Sequence, residues 1–246
     1  MSGHRFDRSI LREYDVRGIV GETLFEADAL ALGRAFGTRI IRAGGKTVAV
    51  GYDGRPTSPA LEAKLVEGLR GCGLEIIRVG LGPTPMLSYA AKTLPTDGGV
   101  MVTGSHNPAG HNGFKMTLLG KPFFGADIAT LGALAAAEDF VRGDGRVRDH
   151  DLRDAYARRL AQEFEGGTST LTIGWDPGNG AAGEVLARRI KLLPGTHHVI
   201  NGEIDGTFPN HHPDPTVEEN LAQLQALVRD KRCDLGIAFD GDADRI

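Results

Sequence analysis

Three aspartates at alternate positions, Asp240, Asp242 and Asp244, follow a strongly apolar run near the end of the sequence. If this segment is locally extended, the three carboxylates project to the same side. Two carboxylates about 4 Å apart repel by roughly 4 kcal/mol at an effective dielectric near 20, so three facing one another need a cation, protonation or a solvated turn that spreads them apart. Oxygen ligands suit a hard divalent ion, and Mg²⁺ fits best where a phosphate shares the site. The spacing excludes an EF-hand, because Arg245 stands where that loop needs glycine.

A second candidate for chemistry is Ser105, in the segment TGSHNP at residues 103–108. The segment follows an apolar run, and its next residues offer a proton carrier, His106, and an amide donor, Asn107. No G-x-S-x-G motif surrounds the serine, so hydrolase chemistry of that type is not indicated. A phosphorylated Ser105 would gain nearly two negative charges and three acceptor oxygens. We expect such a phosphoserine to share the cation of the aspartates.

Short apolar runs alternate with helical patterns around these loops. The predicted strands cover residues 46–52, 74–79, 98–104, 113–118, 171–176, 198–203 and 234–239, and helices are predicted at 58–70, 85–94, 126–140, 156–164, 181–193 and 216–231. Two successive series of this kind predict two tandem three-layer α/β domains with mixed, mostly parallel sheets. Residues 142–151 are the best linker candidate, which divides the chain into domains at 1–146 and 147–246. Ligands of such sheets bind beyond the carboxyl ends of the strands, where both candidate loops lie.

Composition narrows the range of partners. The 28 basic and 32 acidic residues give a net charge of −4, which argues against a nucleic-acid binder. Cys72 and Cys233 are the only cysteines, so we expect neither a disulfide framework nor a cysteine-based zinc site. The charged N-terminus has no apolar signal core, and no apolar run approaches the ~20 residues that cross a bilayer. We therefore expect a cytoplasmic protein with no membrane partner.

The segment HHPDP raises the alternative of a zinc site formed by His211 and His212. Adjacent histidines often point apart and the prolines stiffen the segment, so a structural loop is the better prediction. The glycines around Asn179 precede a predicted helix, where backbone N–H groups could bind a phosphate.

Five segments, taken in order, carry a resemblance to a known family: REYDVRG (12–18), TGSHNP (103–108), NGFKM (112–116), GTFPNHHPDP (206–215) and DGDADR (240–245). Together they resemble the alpha-D-phosphohexomutases, and within that family the bacterial phosphomannomutase/phosphoglucomutase branch. The resemblance spans essentially the whole chain. It implies the first two domains of a four-domain fold.

The resemblance also implies a mechanism. Ser105 would be phosphorylated in the resting active enzyme, and its phosphate would hold Mg²⁺ together with the three aspartates. The phosphoryl group would pass to the free hydroxyl of a mannose or glucose 1- or 6-phosphate, giving a bound 1,6-bisphosphate that reorients and returns its other phosphate to the serine. Glucose 1,6-bisphosphate, or a similar hexose bisphosphate, is the expected activator. The implied catalytic residues are Ser105, Lys115 as general acid/base, Arg17 and His106, and the implied substrate-binding residues are Tyr14, Arg17, Asn107, Lys115 and Arg245.

The sequence stops where the family continues with a third and a fourth domain. Neither the sugar-recognition loop of the G-E-x-S-G-H kind nor the serine/threonine-rich phosphate loop occurs in these residues. We therefore expect the N-terminal half of such an enzyme, with the missing domains as its partners and negligible turnover alone, because remote binding energy positions the substrate. Two alternatives stay open. One is a haloacid-dehalogenase-like phosphatase with Asp240 as nucleophile, although Asp244 occupies its threonine position, and the other is a non-catalytic scaffold.

Overall fold

The computed structural model describes residues 3–162, 164 and 171–246. The first two residues of the charged N-terminus, and residues 163 and 165–170 around the end of the helix predicted at 156–164, lie outside the described residues. Within the described part, every helix is too short or too polar to span a bilayer.

Strands and helices alternate along the described residues. The strands are β1 Val16–Ile19, β2 Thr47–Tyr52, β3 Glu75–Leu81, β4 Gly98–Val102, β5 His111–Leu118, β6 Lys121–Pro122, β7 Arg146–Asp149, β8 Thr172–Asp176, β9 Thr196–Val199 and β10 Leu235–Ala238. The helices are α1 Glu26–Arg42, α2 Ser58–Arg70, α3 Thr84–Thr93, α4 Ala126–Ala137, α5 Arg153–Gln162, α6 Gly183–Arg189 and α7 Ala222–Lys231. Single 3₁₀ turns follow α6 at Ile190–Leu192 and precede α7 at Glu218–Leu221.

The first sheet has the strand order β1-β5-β4-β2-β3-β7, with β6 paired to β5. Strands β2, β3, β4 and β7 run parallel, because a helix connects β2 to β3 and another connects β3 to β4. Strand β5 returns antiparallel to β4 through the short serine loop, and β1 pairs antiparallel with β5. The loop that carries Ser105 therefore lies at the carboxyl end of a parallel strand.

Side chains that alternate along β2 separate the core of the first domain into two layers. Val48 and Val50 belong to the cluster under α1, α2 and α4, whereas Ala49 belongs to the cluster that contains α3 and α5. The leucines of α2 at positions 61, 65 and 69 are buried, as their four-residue spacing predicts. Helices α1 and α2 approach closely at Gly33 and Gly68, where an added Cβ would lie 2.3 Å from a backbone oxygen.

The second sheet is smaller, with the order β10-β8-β9 and parallel pairing throughout. Helix α7 packs on β8 and β10 through Leu224, its buried residue. Helix α6 packs against α5, and its Val185 joins the cluster of Ala49, which therefore contains residues from both domains. The prediction of two three-layer α/β domains with mixed, mostly parallel sheets is confirmed.

Some predicted elements are wrong in detail. Residues 142–151 are not simply a linker, because β7 lies within them and pairs in parallel with β3 in the first sheet. The open edge of β3 offers unpaired backbone groups, and the charged side chains of β7 tolerate the exposed edge position. The strand predicted at 198–203 lies earlier, at β9, and Asn201 beyond it adopts φ 50°. Phe164 lies past the end of α5 and is exposed. The boundary after residue 146 stays a prediction.

Candidate active site

The serine loop begins where β4 ends. The amide of Thr103 still donates to the carbonyl of Gly113 at 3.0 Å, and a turn closes behind it through the bond from the Asn107 amide to the Gly104 carbonyl, also 3.0 Å. Ser105 is buried and has φ 49°, a left-handed conformation that is uncommon for a residue with a side chain. The fold thus holds the hydroxyl in a defined direction rather than leaving it on a mobile surface loop.

The aspartate loop follows β10 and is a compact turn rather than an extended segment. Ala243 adopts φ 57°, and the Asp240 carboxylate accepts hydrogen bonds from the amides of Asp244 (3.0 Å) and Arg245 (3.2 Å). The assumption of alternating extended residues is therefore wrong. The three carboxylates nevertheless converge, each with an oxygen within 4.8 Å of the others. The turn, and not strand alternation, brings them together.

The two loops meet where the first domain contacts the second. The Ser105 hydroxyl donates to Asp240 Oδ2 at 2.9 Å. A Cβ added at Gly241 would lie 2.5 Å from the Ser105 carbonyl oxygen, so only glycine permits the two backbones to come this close. The predicted convergence of residue 105 with the carboxylates is therefore present in the structure.

The buried Asp242 is surrounded by donors from the first domain. Its Oδ2 accepts hydrogen bonds from Thr84 Oγ1 at 2.5 Å, Thr103 Oγ1 at 3.2 Å and Lys115 Nζ at 2.7 Å. The Thr84 amide also donates to the Asp242 carbonyl at 2.9 Å, at the N-terminus of α3. Lys115 Nζ reaches Asp244 Oδ2 at 2.5 Å as well, so one ammonium group bridges two carboxylates.

The charges of the cluster shift its pKa values in opposite directions. Burial, together with the neighbouring Asp242 and Asp244, raises the pKa of Asp240 to about 7. Burial would also raise the pKa of Asp242, but the charge and hydrogen bonds of Lys115 outweigh it and the pKa is lowered. Burial opposes the charged form of Lys115 as well, yet Asp242 and Asp244 raise its pKa overall. Positive charge next to the three carboxylates therefore stabilises their ionised forms, as Lys115 does for Asp242.

A divalent cation fits these residues. Asp242 Oδ1 is a buried carboxylate oxygen without a hydrogen-bond partner, and the three aspartates have carboxylate oxygens within 4.8 Å of one another. Oxygen-only ligands of this kind suit Mg²⁺. In the part of the chain that the structure describes, no second group of three metal-ligating side chains occurs.

A cleft of about 830 Å³ opens beside the cluster, a volume that matches small-molecule sites. The side chains of the implied catalytic and substrate-binding residues all line it: Tyr14, Arg17, Ser105, His106, Asn107, Lys115 and Arg245. Asp244 reaches the wall of the cleft, whereas Asp240 and Asp242 lie behind the wall and are fully buried.

The side chains of the cleft differ in what they contact. The buried Arg17 donates to the Gly104 carbonyl and to Asp15, the latter at 2.5 Å. His106 Nδ1 lies 3.4 Å from the Ser105 hydroxyl, and burial together with Arg245 lowers the pKa of this imidazole. Asn107 turns back to the Gly104 carbonyl at 3.1 Å, so it also braces the loop.

Tyr14 and Arg245 lie at the exposed rim of the cleft. The Tyr14 side chain is 78% exposed, and its ring is stacked 6.4 Å from the ring of Phe124. Arg245 is half exposed, with its Nε 3.8 Å from Asp244. Both groups can therefore meet a ligand without first leaving a buried partner.

Sequence reasoning missed several residues of the site. Thr84 lies between the strand predicted at 74–79 and the helix predicted at 85–94, and Thr103 lies in the segment TGSHNP, but neither was among the predicted site residues. Arg55 and Asp53, which follow β2, also bind the serine loop. Their position directly after parallel strands is the signal that identifies them, because such positions share one edge of a sheet.

The histidine segment forms a structural contact. His211 Nε2 lies 2.9 Å from Asp176 Oδ2, and its Nδ1 lies 2.9 Å from the His212 carbonyl. Both ring nitrogens of His211 therefore have protein partners, as a structural loop requires.

Fold and site together define a two-domain α/β protein with a buried serine and a carboxylate cluster where its domains meet. The model of phosphoglucomutase/phosphomannomutase alpha/beta/alpha domain I matches residues 8–142, and that of domain II matches residues 154–246. The chain belongs to the phosphoglucomutase/phosphomannomutase family.

Relatives extend well beyond this chain. A phosphomannomutase/phosphoglucomutase of Pseudomonas aeruginosa is 41% identical over 97% of this chain and 51% of its own length. A phosphoglucomutase of Neisseria gonorrhoeae is 39% identical over 97% of this chain and 52% of its own. A solved phosphoglucomutase/phosphomannomutase family structure from Burkholderia thailandensis superposes with a TM-score of 0.91 at 38% identity, covering 96% of this chain and 53% of that one. The chain spans about half the length of the curated relatives it matches.

Proposed function

We propose that these residues form the phosphoryl-carrying half of a phosphohexomutase that interconverts hexose 1-phosphates and hexose 6-phosphates of glucose or mannose. The observation that carries the proposal is the 2.9 Å contact from the Ser105 hydroxyl to Asp240, inside a cluster of three carboxylates. The relatives whose names include phosphomannomutase or phosphoglucomutase support the same reaction class.

Each residue has a role that its position supports. Ser105 Oγ carries the phosphoryl group, and transfer breaks the Oγ–P bond as the free hydroxyl of the hexose phosphate forms the new O–P bond. Lys115 Nζ, which lines the cleft, is the proposed general acid/base: as the neutral amine it takes the proton of that hydroxyl, and the proton then passes to the released Ser105 oxygen. His106 orients the serine oxygen. Arg17, Arg245, Asn107 and Tyr14 bind the sugar phosphate in the cleft.

Phosphoryl transfer depends mainly on in-line positioning and on neutralising charge. Asp240, Asp242 and Asp244, with an oxygen on Ser105, are the residues that would hold Mg²⁺, which when bound neutralises charge on the transferring group. The buried position of Ser105 excludes bulk water from the side of the hydroxyl that faces the aspartates. A hexose 1,6-bisphosphate is the proposed activator, because it can donate a phosphoryl group to the free serine.

These residues correspond to about half the length of the relatives, and this limits the activity that we propose for them alone. We propose that the remaining domains of the enzyme recognise the sugar hydroxyls and the non-reacting phosphate, so that these residues transfer phosphate to and from Ser105 but do not turn over hexose phosphates. No observation supports the phosphatase alternative. Asp240 is fully buried and both its oxygens accept hydrogen bonds, so it does not face the cleft as a nucleophile.

Intact-mass spectrometry tests this function. The protein is incubated with Mg²⁺ and glucose 1,6-bisphosphate, and the site of any added phosphate is located by peptide mapping. Phosphate on Ser105, lost in Ser105→Ala, is the expected result. Phosphate on an aspartate would favour the phosphatase, and no phosphate would favour a scaffold; either result contradicts the proposal.

Lys115→Met probes the proton-transfer role in the same assay. We expect the variant to lose the hexose-phosphate-dependent removal of phosphate from Ser105 while it still binds Mg²⁺. Removal at the wild-type rate would exclude Lys115 from the mechanism.

A further inference from the structure

Arg55 is a buried cation that the proposed reaction does not use. It lies in the loop between β2 and α2, is 1% exposed and ranks among the largest fully buried side chains of the described residues. It does not line the cleft beside Ser105. A buried arginine is costly unless its donors are satisfied, so its partners indicate what it is for.

All five N–H groups of the guanidinium are engaged. Nε donates to Asp53 Oδ2 at 3.2 Å. The remaining donors all bind backbone carbonyls of the serine loop and its exit: Ser105 at 2.8 Å, Asn107 at 2.6 Å, Pro108 at 2.7 Å and His111 at 2.9 Å. One side chain therefore binds four backbone carbonyls within the seven-residue segment 105–111.

Asp53 completes the connection from the other side of the loop. Its Oδ2 accepts a hydrogen bond from the Gly104 amide at 3.0 Å as well as from Arg55 Nε. Its Oδ1 accepts from the Arg55 amide at 3.1 Å and from the Ser58 hydroxyl at 2.5 Å. The carboxylate thereby fixes the guanidinium at the start of α2 and holds the backbone just before the serine.

Residues from both domains pack tightly around Arg55. A Cβ at Gly104 would lie 2.2 Å from the guanidinium carbon, and a Cβ at Gly206 would lie 2.3 Å from the Arg55 Cα. The Phe208 ring of the second domain lies 5.1 Å from the guanidinium, within cation–π distance. The guanidinium therefore has one position available, and a lysine, with three donors and no planar fork, cannot reproduce its contacts.

Ser105 needs such support because its backbone is in the left-handed region. A non-glycine residue persists there only where its surroundings fix it. We propose that Arg55 is the positioning residue of the serine loop, which holds the Ser105 backbone in this conformation and so aims the hydroxyl at the aspartate cluster. The inference rests on the proposed function of Ser105 as phosphoryl carrier.

The test compares wild-type protein with Arg55→Lys and with the matched control Arg78→Lys. Arg78 donates two hydrogen bonds to the fully buried Glu62, in the same domain but away from the serine loop. Hydrogen exchange of peptides covering residues 103–111 measures the loop without any phosphoryl transfer. The rate of Ser105 labelling by glucose 1,6-bisphosphate and Mg²⁺ measures its function.

In Arg55→Lys we expect exchange in residues 103–111 to accelerate at least roughly tenfold, since local opening becomes easier. We expect labelling to slow by roughly 100-fold, the effect of a misplaced reacting group. The loss lies in the maximal rate, and the bisphosphate concentration for half-maximal labelling stays within about threefold, because Arg55 does not line the cleft. Arg78→Lys stays within about twofold of wild type in both measurements.

Wild-type protection of the loop in Arg55→Lys overturns the inference, as does a change confined to the half-saturating concentration. If wild-type Ser105 takes up no phosphate while the loop still opens faster in Arg55→Lys, the proposed function fails and the positioning role stands. If Arg55→Lys does not fold, Asp53→Asn supplies the same comparison, because it weakens the hold on both the guanidinium and Gly104.

Discussion

The two domains contribute to one site but differ in how they are stabilised. In the first domain all five residues of β4 are buried, and a large apolar cluster lies under α1 and α2. In the second domain β9 and β10 have no buried residue, with Val199 40% and Leu235 37% exposed. Yet Asp240 and Asp242, directly after β10, are fully buried.

The burial of these aspartates comes from the first domain. Thr84, Thr103, Ser105 and Lys115 all donate hydrogen bonds to them across the contact between the domains. The first domain therefore positions its half of the site through its own core, whereas the aspartate loop depends on a contact with its neighbour. We therefore expect core substitutions to cost more stability in the first domain than in the second. We also expect the charge of the buried aspartates to affect the stability of the protein.

The largest expected effect tests the difference in the cores. Phe114 on β5 is completely buried, so Phe114→Ala should lower the free energy of unfolding by about 3–5 kcal/mol, through lost burial and an unfilled cavity. Leu235→Ala on β10 should lower it by less than about 1 kcal/mol, because the side chain is already partly in water. Urea unfolding measures both values. Equal losses would show that the two cores contribute alike.

The second prediction concerns the cost of the aspartate cluster. The pKa of Asp240 is raised to about 7, so the folded state favours the protonated carboxyl, and without divalent cations stability is lost as the pH rises from about 4 to 7. Asp240→Asn removes this loss and should raise the free energy of unfolding by roughly 2–4 kcal/mol at pH 8 in chelator. Thermal and urea unfolding across pH measure the difference, with the exposed Asp230→Asn as control.

Magnesium should offset most of the stability advantage of Asp240→Asn over the wild type. At about 100 times its dissociation constant, Mg²⁺ should stabilise the wild type by about 2.7 kcal/mol. The free energy of unfolding of Asp240→Asn should rise little when Mg²⁺ is added, because this variant lacks one of the proposed ligands. A variant that is stabilised by Mg²⁺ as strongly as the wild type would show that Asp240 is not a ligand.

The smallest expected effect lies inside the second domain. The hydrogen bond to Asp176 raises the pKa of His211, so its stabilisation is fully present below the ordinary value near 6.5 and is lost as the pH rises through the raised value. The stability difference between wild type and His211→Gln should therefore shrink above pH 7, from about 1 kcal/mol or less. His198→Gln on β9 serves as the control. A stability difference that does not change with pH would show that a charged pair of His211 and Asp176 does not stabilise the fold.

Local pattern was sufficient for much of the fold. The spacing of Leu61, Leu65 and Leu69 predicts the buried face of α2, because a helix brings every fourth residue to one side. The strands on either side of the serine loop were also found, since their apolar runs are continuous. Strand β7 was missed because its residues are polar and only the open edge of β3 makes them a strand.

Some residues of the site could also be predicted from local sequence, whereas others could not. Ser105, Lys115 and the three aspartates were identified from motifs, since each motif is a short run of residue types. Thr84 and Arg55 were not, because their partners lie far away in the chain: Thr84 binds Asp242, 158 positions on, and Arg55 binds the Ser105 carbonyl, 50 positions on.

The amino-acid sequence by itself determined the periodicity of the helices and strands, the order of the two domains and the residue types available for phosphate and cation chemistry. Only the tertiary structure decided which of those residues meet. Ser105 and Asp240 come within hydrogen-bond distance because two sheets place the carboxyl ends of β4 and β10 against each other, and the left-handed Ser105 and Ala243 turn each loop toward the other. Distances across such a contact depend on packing between segments far apart in the chain, which no local pattern encodes.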